Sequence, residues 1–293
     1  MVYIKLLRIK HWVKNSFLFI PVFFSGDFLN LQKLTTLAIG FLAFGLIASG
    51  IYVLNDYRDI EVDRKHPEKC QRPLASGEVS KQKATVIMII CLLSGMGIAL
   101  ILLPKFSFIL FLYLLVNIAY SSGLKHVSIL DVMLVSMGFV LRVRAGGALA
   151  SVQVSPWLIV MVYLLALFMA FAKRRDDVVL KQNLGVDMRK ASSKYNLDFL
   201  NAVIVMISSI TIVAYILYSV SPDTMQRLGT YRIYYTSVFV IAGILRYLQL
   251  VFVEKDSGSP TNLLYQDRFI QIAIALWIIS FYVIIYLPDR LFF

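Results

Sequence analysis

Asn55-Asp56-Tyr57-Arg58-Asp59-Ile60-Glu61-Val62-Asp63-Arg64 decides how this chain is read, because it sets ionisable carboxylates where a long apolar run ends. The residues before it, from about Leu34 to Leu54, are almost wholly apolar and match the roughly 20 residues a bilayer crossing takes. If the helix continues, Asn55, Asp59 and Asp63 recur every four residues and share a face, with Asp56 about 100° round from Asn55. Stacked carboxylates repel one another unless a cation or a donor neutralises them. An oxygen-rich cluster suits Mg2+, or Mn2+ with similar ligand preference, since Mg2+ takes one or two carboxylates plus substrate phosphates. A solvated, charged helix end is the plain alternative. The bases that follow, Arg64, Lys65, Lys69 and Arg72, weigh against it. A metal-bound diphosphate needs oxygens for the cation and donors for the phosphate oxygens the cation leaves uncovered. Pro67, Pro73 and Gly77 interrupt regular helix and would fold those bases back over the carboxylates.

Working outward, the rest of the chain is apolar from end to end. Hydrophobic residues make up 59% of it and charged ones 16%, against about 25% charged in soluble domains. Mean hydropathy is +0.76. Apolar runs predict an all-α polytopic membrane protein of nine spans, near 12–25, 34–56, 84–103, 106–121, 128–149, 156–173, 199–220, 232–252 and 269–287. The first and fourth are short, which implies tilt or a partly interfacial position. No small-residue cleavage site follows a short apolar core, so a cleavable leader is not expected. All loops are short enough for residues 1–293 to form one integral domain.

Charge orients the helices. With nine spans, the N-terminus and the loops after spans 2, 4, 6 and 8 share a side that holds 21 of the 29 Lys and Arg residues, and the opposite side holds five. The positive-inside rule makes the crowded side, with the N-terminus, cytoplasmic. The formal charge of +12 then reflects topology and anionic lipid or substrate, not nucleic acid, for which neither a zinc-finger spacing nor a separate basic domain is present. Three histidines offer no zinc pattern, and His66 reads as a loop or cap residue. Cys70 and Cys91 fall in a cytoplasmic loop and a span, which argues against a structural disulfide.

Two further polar stretches face the same side. Tyr120-Ser121-Ser122-Gly123-Leu124-Lys125-His126 closes span 4, and Asp131 follows early in span 5, where lipid demands a partner for it. Arg142 and Arg144 lie further along that span. They either pair with buried acceptors for structural reasons or receive a phosphate. Gly138, Gly146 and Gly147 read as sites of close helix packing. Lys173-Arg174-Arg175-Asp176-Asp177 stands where span 6 meets the cytoplasm. It is either a solvated anchor or a site in which Lys173 and Arg174 bind substrate phosphate, while Asp176 or Asp177 orients a base or touches the metal.

Taken together, these segments resemble the UbiA superfamily of intramembrane transferases. NDYRDIEVDRKHPEKCQRPLASG at 55–77 matches the family's NDxxDxxxD region and its RxHPxKxxRPxAxG continuation. RIKHWVKNSFLFIP at 8–21, YSSGLKHVSILD at 120–131, GFVLRVRAGG at 138–147 and FAKRR at 171–175 are similar to the phosphoribosyltransferase branch. The resemblance implies a bundle of nine helices in a bacterial cytoplasmic membrane, a catalytic cavity facing the cytoplasm, and a lateral opening for polyprenyl lipid. Self-association in the family extends the expectation to a homo-oligomer. Family prenyltransferases carry a second DxxxD motif after span 6, and this chain has KRRDDVVLK there, with no carboxylates four apart. That departure agrees with a reaction in which phosphoribosyl pyrophosphate brings the diphosphate and polyprenyl phosphate brings a monophosphate. The expected sites follow. Asn55, Asp56, Asp59 and Asp63 would hold Mg2+, and Lys69, Arg72 and Lys125 would surround the donor's phosphates. Arg64, Tyr120, Ser121, Asp131, Arg142, Arg144, Lys173 and Arg174 complete the substrate site. The competing readings are a prenyltransferase using a polyprenyl diphosphate with an aromatic or lipid acceptor, and a non-catalytic transporter of phosphorylated lipid.

Overall fold

The computed structural model describes residues 2–65, 69–184, 194–254, 263 and 266–287, and among these every regular element is helical. His66 and Pro67 lie outside the described residues. The chain divides into two compact units, one of residues 1–125 and 138–154, the other of residues 126–137 and 155–293.

The first unit begins with α1 (Val2–Leu6), a 3-10 segment (Ile9–Phe19) and α2 (Ile20–Phe24). Helix α3 (Leu31–Arg58) starts where the Asn30 side chain accepts a hydrogen bond from the Lys33 amide at 3.1 Å, and α4 (Ile60–Arg64) follows it after one residue. Ser80 caps α5 (Lys81–Leu102) in the same way. Extended Leu103 and then Pro104 break the chain and open α6 (Pro104–Ser121), because proline at the first helical position gives up only a donor that would be unsatisfied there. Helices α3, α5 and α6 enclose an apolar core of Phe44, Ile47, Phe106, Leu110 and Tyr113, which the last turns of α7 (Leu130–Leu149) join through Ala145 and Leu149.

The second unit contains the first turns of α7, then α8 (Pro156–Leu184), α9 (Leu197–Ser219), α10 (Pro222–Leu228), α11 (Ser237–Phe252) and α12 (Arg268–Tyr286). Asn196 and Asp267 cap α9 and α12. Phe168, Phe171, Leu200, Ile204, Tyr247 and Leu250 form its core.

Among the described residues, eight helical stretches are long and apolar enough to cross a membrane, beginning at Leu31, Lys81, Pro104, Leu130, Pro156, Leu197, Arg232 and Arg268. They coincide with eight of the nine expected spans. The expected first span, 12–25, is instead covered by the 3-10 segment and the short α2. The 3-10 segment lies against α3 and α7 at two glycines. A Cβ on Gly45 would stand 2.7 Å from the Trp12 indole, and one on Gly146 would stand 1.9 Å from the Leu18 carbonyl oxygen. Gly146 thus serves close packing as its sequence context suggests, but against backbone that is not α-helical.

A contrast between two glycines tests this packing. Gly146→Ala should lower stability by about 1–3 kcal/mol through overpacking. Gly97→Ala, in α5 with open space around its Cβ position, should be neutral or stabilising by roughly 0.5–1 kcal/mol. Thermal unfolding of both variants in detergent measures the difference, and equal midpoints would remove the proposed contact.

Candidate active site

The carboxylates of the first motif are all matched by bases. Asp59 departs from helical dihedrals (φ −97°, ψ 7°), although its amide still bonds to the Asn55 carbonyl and its carbonyl still accepts from the Asp63 amide. This offset turns α4 relative to α3. The acids therefore sort as Asp56 with Asp63, and Asn55 with Asp59, in place of the single Asn55, Asp59, Asp63 stripe that an unbroken helix predicts.

Asp56 and Asp63 are both 3% exposed. Arg72 Nη1 bridges them, 3.0 Å from Asp56 Oδ1 and 2.6 Å from Asp63 Oδ2. Arg72 gets there because the loop doubles back. The Ser76 amide bonds to the Arg72 carbonyl, the Val79 amide bonds to the Pro73 carbonyl, Leu74 and Ala75 are buried, and Gly77 takes the left-handed conformation (φ 84°). A second guanidinium reaches the same acid: Arg8 Nη2 lies 2.5 Å from Asp56 Oδ1.

On the other side, Lys125 Nζ contacts both Asp59 oxygens, at 2.6 and 2.9 Å. Beside it the Ser121 hydroxyl meets Asn55 Oδ1 and the Asn117 carbonyl. Tyr120 is half-buried at the end of α6. Arg64 turns away, to Glu61 and the Ala75 carbonyl, and pins α4 to the loop. Lys69 opens the short 3-10 turn Lys69–Gln71.

These donors fit a hard divalent cation in one respect and limit it in another. All are oxygens, and two come from buried carboxylates that converge on one nitrogen. Yet among the described residues no three acidic, His or Cys side chains stand close enough to hold an ion by themselves. That is the pattern expected of Mg2+, which completes its shell with substrate phosphate and water.

Arg142 is buried in the first unit and makes three hydrogen bonds, to Asn15 Oδ1 (3.0 Å), the Gly138 carbonyl (2.9 Å) and the Tyr113 hydroxyl (2.9 Å). The rings of Tyr113, Phe44 and Phe139 surround its guanidinium at 4.8–5.6 Å. Among the described residues no carboxylate pairs with it. Arg144, two residues on, is exposed. The two arginines therefore occupy different environments.

Arg174 differs again. In the second unit its Nε donates to Asp131 Oδ2 at 2.7 Å and its Nη1 to Asp177 Oδ2 at 3.2 Å, all three residues being buried. Tyr195 adds a hydroxyl 3.3 Å from Asp131 Oδ1, accepts from the Ile129 amide at 2.5 Å, and has its phenol proton held above the usual range by burial. Ile129 sits at φ 70°, a costly conformation for a β-branched residue, so this network fixes the strained start of α7. Lys173 is exposed. Sequence reasoning named Asp131, Arg174 and Asp177 but not Tyr195, and it missed Arg8, Asn15 and Tyr113, whose partners are remote in the chain.

An all-α polytopic membrane protein with an acid–base cluster at the end of a span is the class this architecture defines. The chain belongs to the UbiA prenyltransferase family, which matches residues 18–273. It is 32% identical over 288 residues to decaprenyl-phosphate phosphoribosyltransferase of Mycolicibacterium smegmatis, covering 94% of this chain and 89% of the relative. With the protein of that name from Corynebacterium glutamicum it shares 31% identity over 290 residues, covering 97% and 86%. Its fold resembles a UbiA homolog from Archaeoglobus fulgidus solved with GPP and Mg2+, with a TM-score of 0.71 and 20% identity over 97% of this chain and 99% of the other.

The buried network makes a stability prediction. Asp131→Asn leaves Arg174 with a single acid among the described residues and should cost about 3 kcal/mol, whereas exposed Lys173→Ala should stay within roughly 0.5 kcal/mol. Unfolding midpoints that are equal for the two variants would show that Arg174 does not depend on Asp131.

Proposed function

We propose that this chain transfers the 5-phosphoribosyl group from phosphoribosyl pyrophosphate to a polyprenyl phosphate of the decaprenyl type, releasing diphosphate, in a Mg2+-dependent reaction. The product would feed arabinofuranosyl donor synthesis for the cell envelope. The reaction would take place at the cytoplasmic face of a bacterial inner membrane, with the N-terminus on that side. The observation that carries this reading is the likeness to decaprenyl-phosphate phosphoribosyltransferases over almost the whole chain. The absence of a second DxxxD from the described start of the segment after the sixth expected span supports it.

Asp56 and Asp63 would hold Mg2+, with Asp59 and Asn55 beside them. When bound, the ion supplies charge neutralisation to the departing diphosphate. Arg72 and Lys125 are placed to donate to phosphate oxygens once the carboxylates they now neutralise have another partner. Lys69 would join them. Arg142 has the stronger claim to the 5-phosphate or the lipid phosphate, since no acid stands beside it, while Arg174 is already held by two. Arg144 and Lys173, both exposed, would add charge. Polyprenyl phosphate is already anionic near neutral pH, a phosphate monoester's second pKa being about 6. Its oxygen can attack the anomeric carbon without a protein base, and attack opposite the leaving group inverts that centre.

Purified protein incubated with radiolabelled phosphoribosyl pyrophosphate, polyprenyl phosphate and Mg2+ should form lipid-linked phosphoribose, and EDTA should abolish it. Asp56→Asn and Asp63→Asn should each lower turnover about 10- to 150-fold, the value of a charge-assisted contact. Mg2+-dependent binding of a prenyl diphosphate by a protein that ignores phosphoribosyl pyrophosphate would overturn the assignment and favour prenyl transfer.

A further inference from the structure

The N-terminal segment carries a cation that the motif does not. Arg8 lies between α1 and the 3-10 segment with φ 50° and ψ 46°, a left-handed conformation that L-residues other than glycine rarely adopt. Its neighbours hold it there. Leu6 is fully buried, the Leu7 carbonyl accepts from Ser49 Oγ at 2.7 Å, and the Trp12 indole donates to that same hydroxyl at 3.0 Å. Gly45, Ser49, Tyr52 and Asp56 recur at helical spacing, so the segment lies along one stripe of α3. The stripe delivers the Arg8 guanidinium over the Tyr52 ring, 5.2 Å from its centroid, and onto Asp56 Oδ1.

That oxygen is already served by Arg72 at 3.0 Å. Two guanidinium groups therefore converge on one carboxylate oxygen, each through a single N–H. Arg8 offers five N–H groups and, among the described residues, donates one hydrogen bond. The strained backbone, the anchors on either side and the surplus donors point to a ligand with several anionic oxygens beside Asp56.

We propose that Arg8 is a diphosphate-binding residue, which exchanges Asp56 for the donor's diphosphate oxygens when a divalent cation occupies that carboxylate. This rests on the metal-dependent diphosphate chemistry proposed above, but not on which donor supplies the diphosphate. Arg8, Arg72 and Lys125 balance Asp56, Asp59 and Asp63 charge for charge. A cation arriving alone must displace those bases into a positively charged site. A cation arriving with diphosphate gives them a new partner. Metal and diphosphate should therefore bind together far better than either alone.

Arg8→Ala and Arg8→Lys, in the full-length protein in detergent, separate this role from a structural one. Calorimetry would follow inorganic diphosphate in the presence of Mg2+, and electron paramagnetic resonance would follow Mn2+ alone. Arg8→Ala should weaken metal-dependent diphosphate binding about 10- to 100-fold. It should leave Mn2+ binding unchanged or tighter, because one competitor for Asp56 is gone. Arg8→Lys keeps the charge without the fork and should fall between, which serves if the alanine variant does not fold. Parallel loss of Mn2+ and diphosphate binding would mean that Arg8 only shapes Asp56, and would overturn the proposal. Undiminished diphosphate binding would overturn it too, as would loss confined to polyprenyl phosphate, which would assign Arg8 to the acceptor. Because inorganic diphosphate is the probe, failure to use phosphoribosyl pyrophosphate leaves this result readable.

Discussion

Carboxylates at the end of an apolar helix repel one another and lose hydration as they are buried, so Asp56 and Asp63 can stand together only with positive charge between them. Arg72 meets that requirement, and much of the first unit follows from it. The loop after α4 must reverse so that a residue sixteen positions after Asp56 reaches back to it. Lys125, in the short 3-10 turn after α6, must approach Asp59. The N-terminal segment is drawn onto α3, where Ser49 and Gly45 receive it. Each cation comes from a different part of the chain, so the cluster gathers the N-terminus, α3, α4, the loop and α6 at one point.

The buried arginines show two ways of meeting the same cost. Among the described residues Arg174 has two acids, with a tyrosine hydroxyl beside one of them, an arrangement that uses up its charge. Arg142 has neutral acceptors and aromatic faces, which stabilise a cation without cancelling it. An anion approaching Arg142 meets uncompensated charge, while one approaching Arg174 must compete with two carboxylates. Burial alone therefore does not identify a phosphate site. What matters is whether the charge beside it has been spent.

Eight spans were legible because twenty-residue apolar runs have few other uses, and the acidic motif was legible because carboxylates there need a reason. The N-terminal run from Trp12 to Ser25 was less legible: its hydropathy suggests a crossing, and its backbone is a 3-10 segment and a short helix packed on glycines of α3 and α7. Arg8 was hidden for a related reason. A base near an N-terminus reads as a topological charge, and no local spacing connects position 8 with position 56. Asp63 leaves the stripe expected of an unbroken helix because one residue with ψ near zero, Asp59, is enough to rotate Asp63 toward Asp56. Helical periodicity carries through regular turns only.

The balance of charges also bears on the order of events. Three bases matched to three acids make a cluster with little net attraction for a free cation or a free diphosphate. In the proposed reaction the two ligands would satisfy it as a pair: the cation would release the bases from the carboxylates, and the diphosphate would receive them. A cluster that keeps its bases on its own acids until both ligands arrive gives little assistance to cleavage of the donor before the metal is in place. In the proposed reaction the departing diphosphate would meet Arg72 and Lys125, whose positions are set beforehand by the fold. The acceptor needs only an anionic oxygen aligned opposite that departure. In the proposed reaction the acids that hold this cluster together would become metal ligands, and the bases would pass from structural partners to stabilisers of the leaving group.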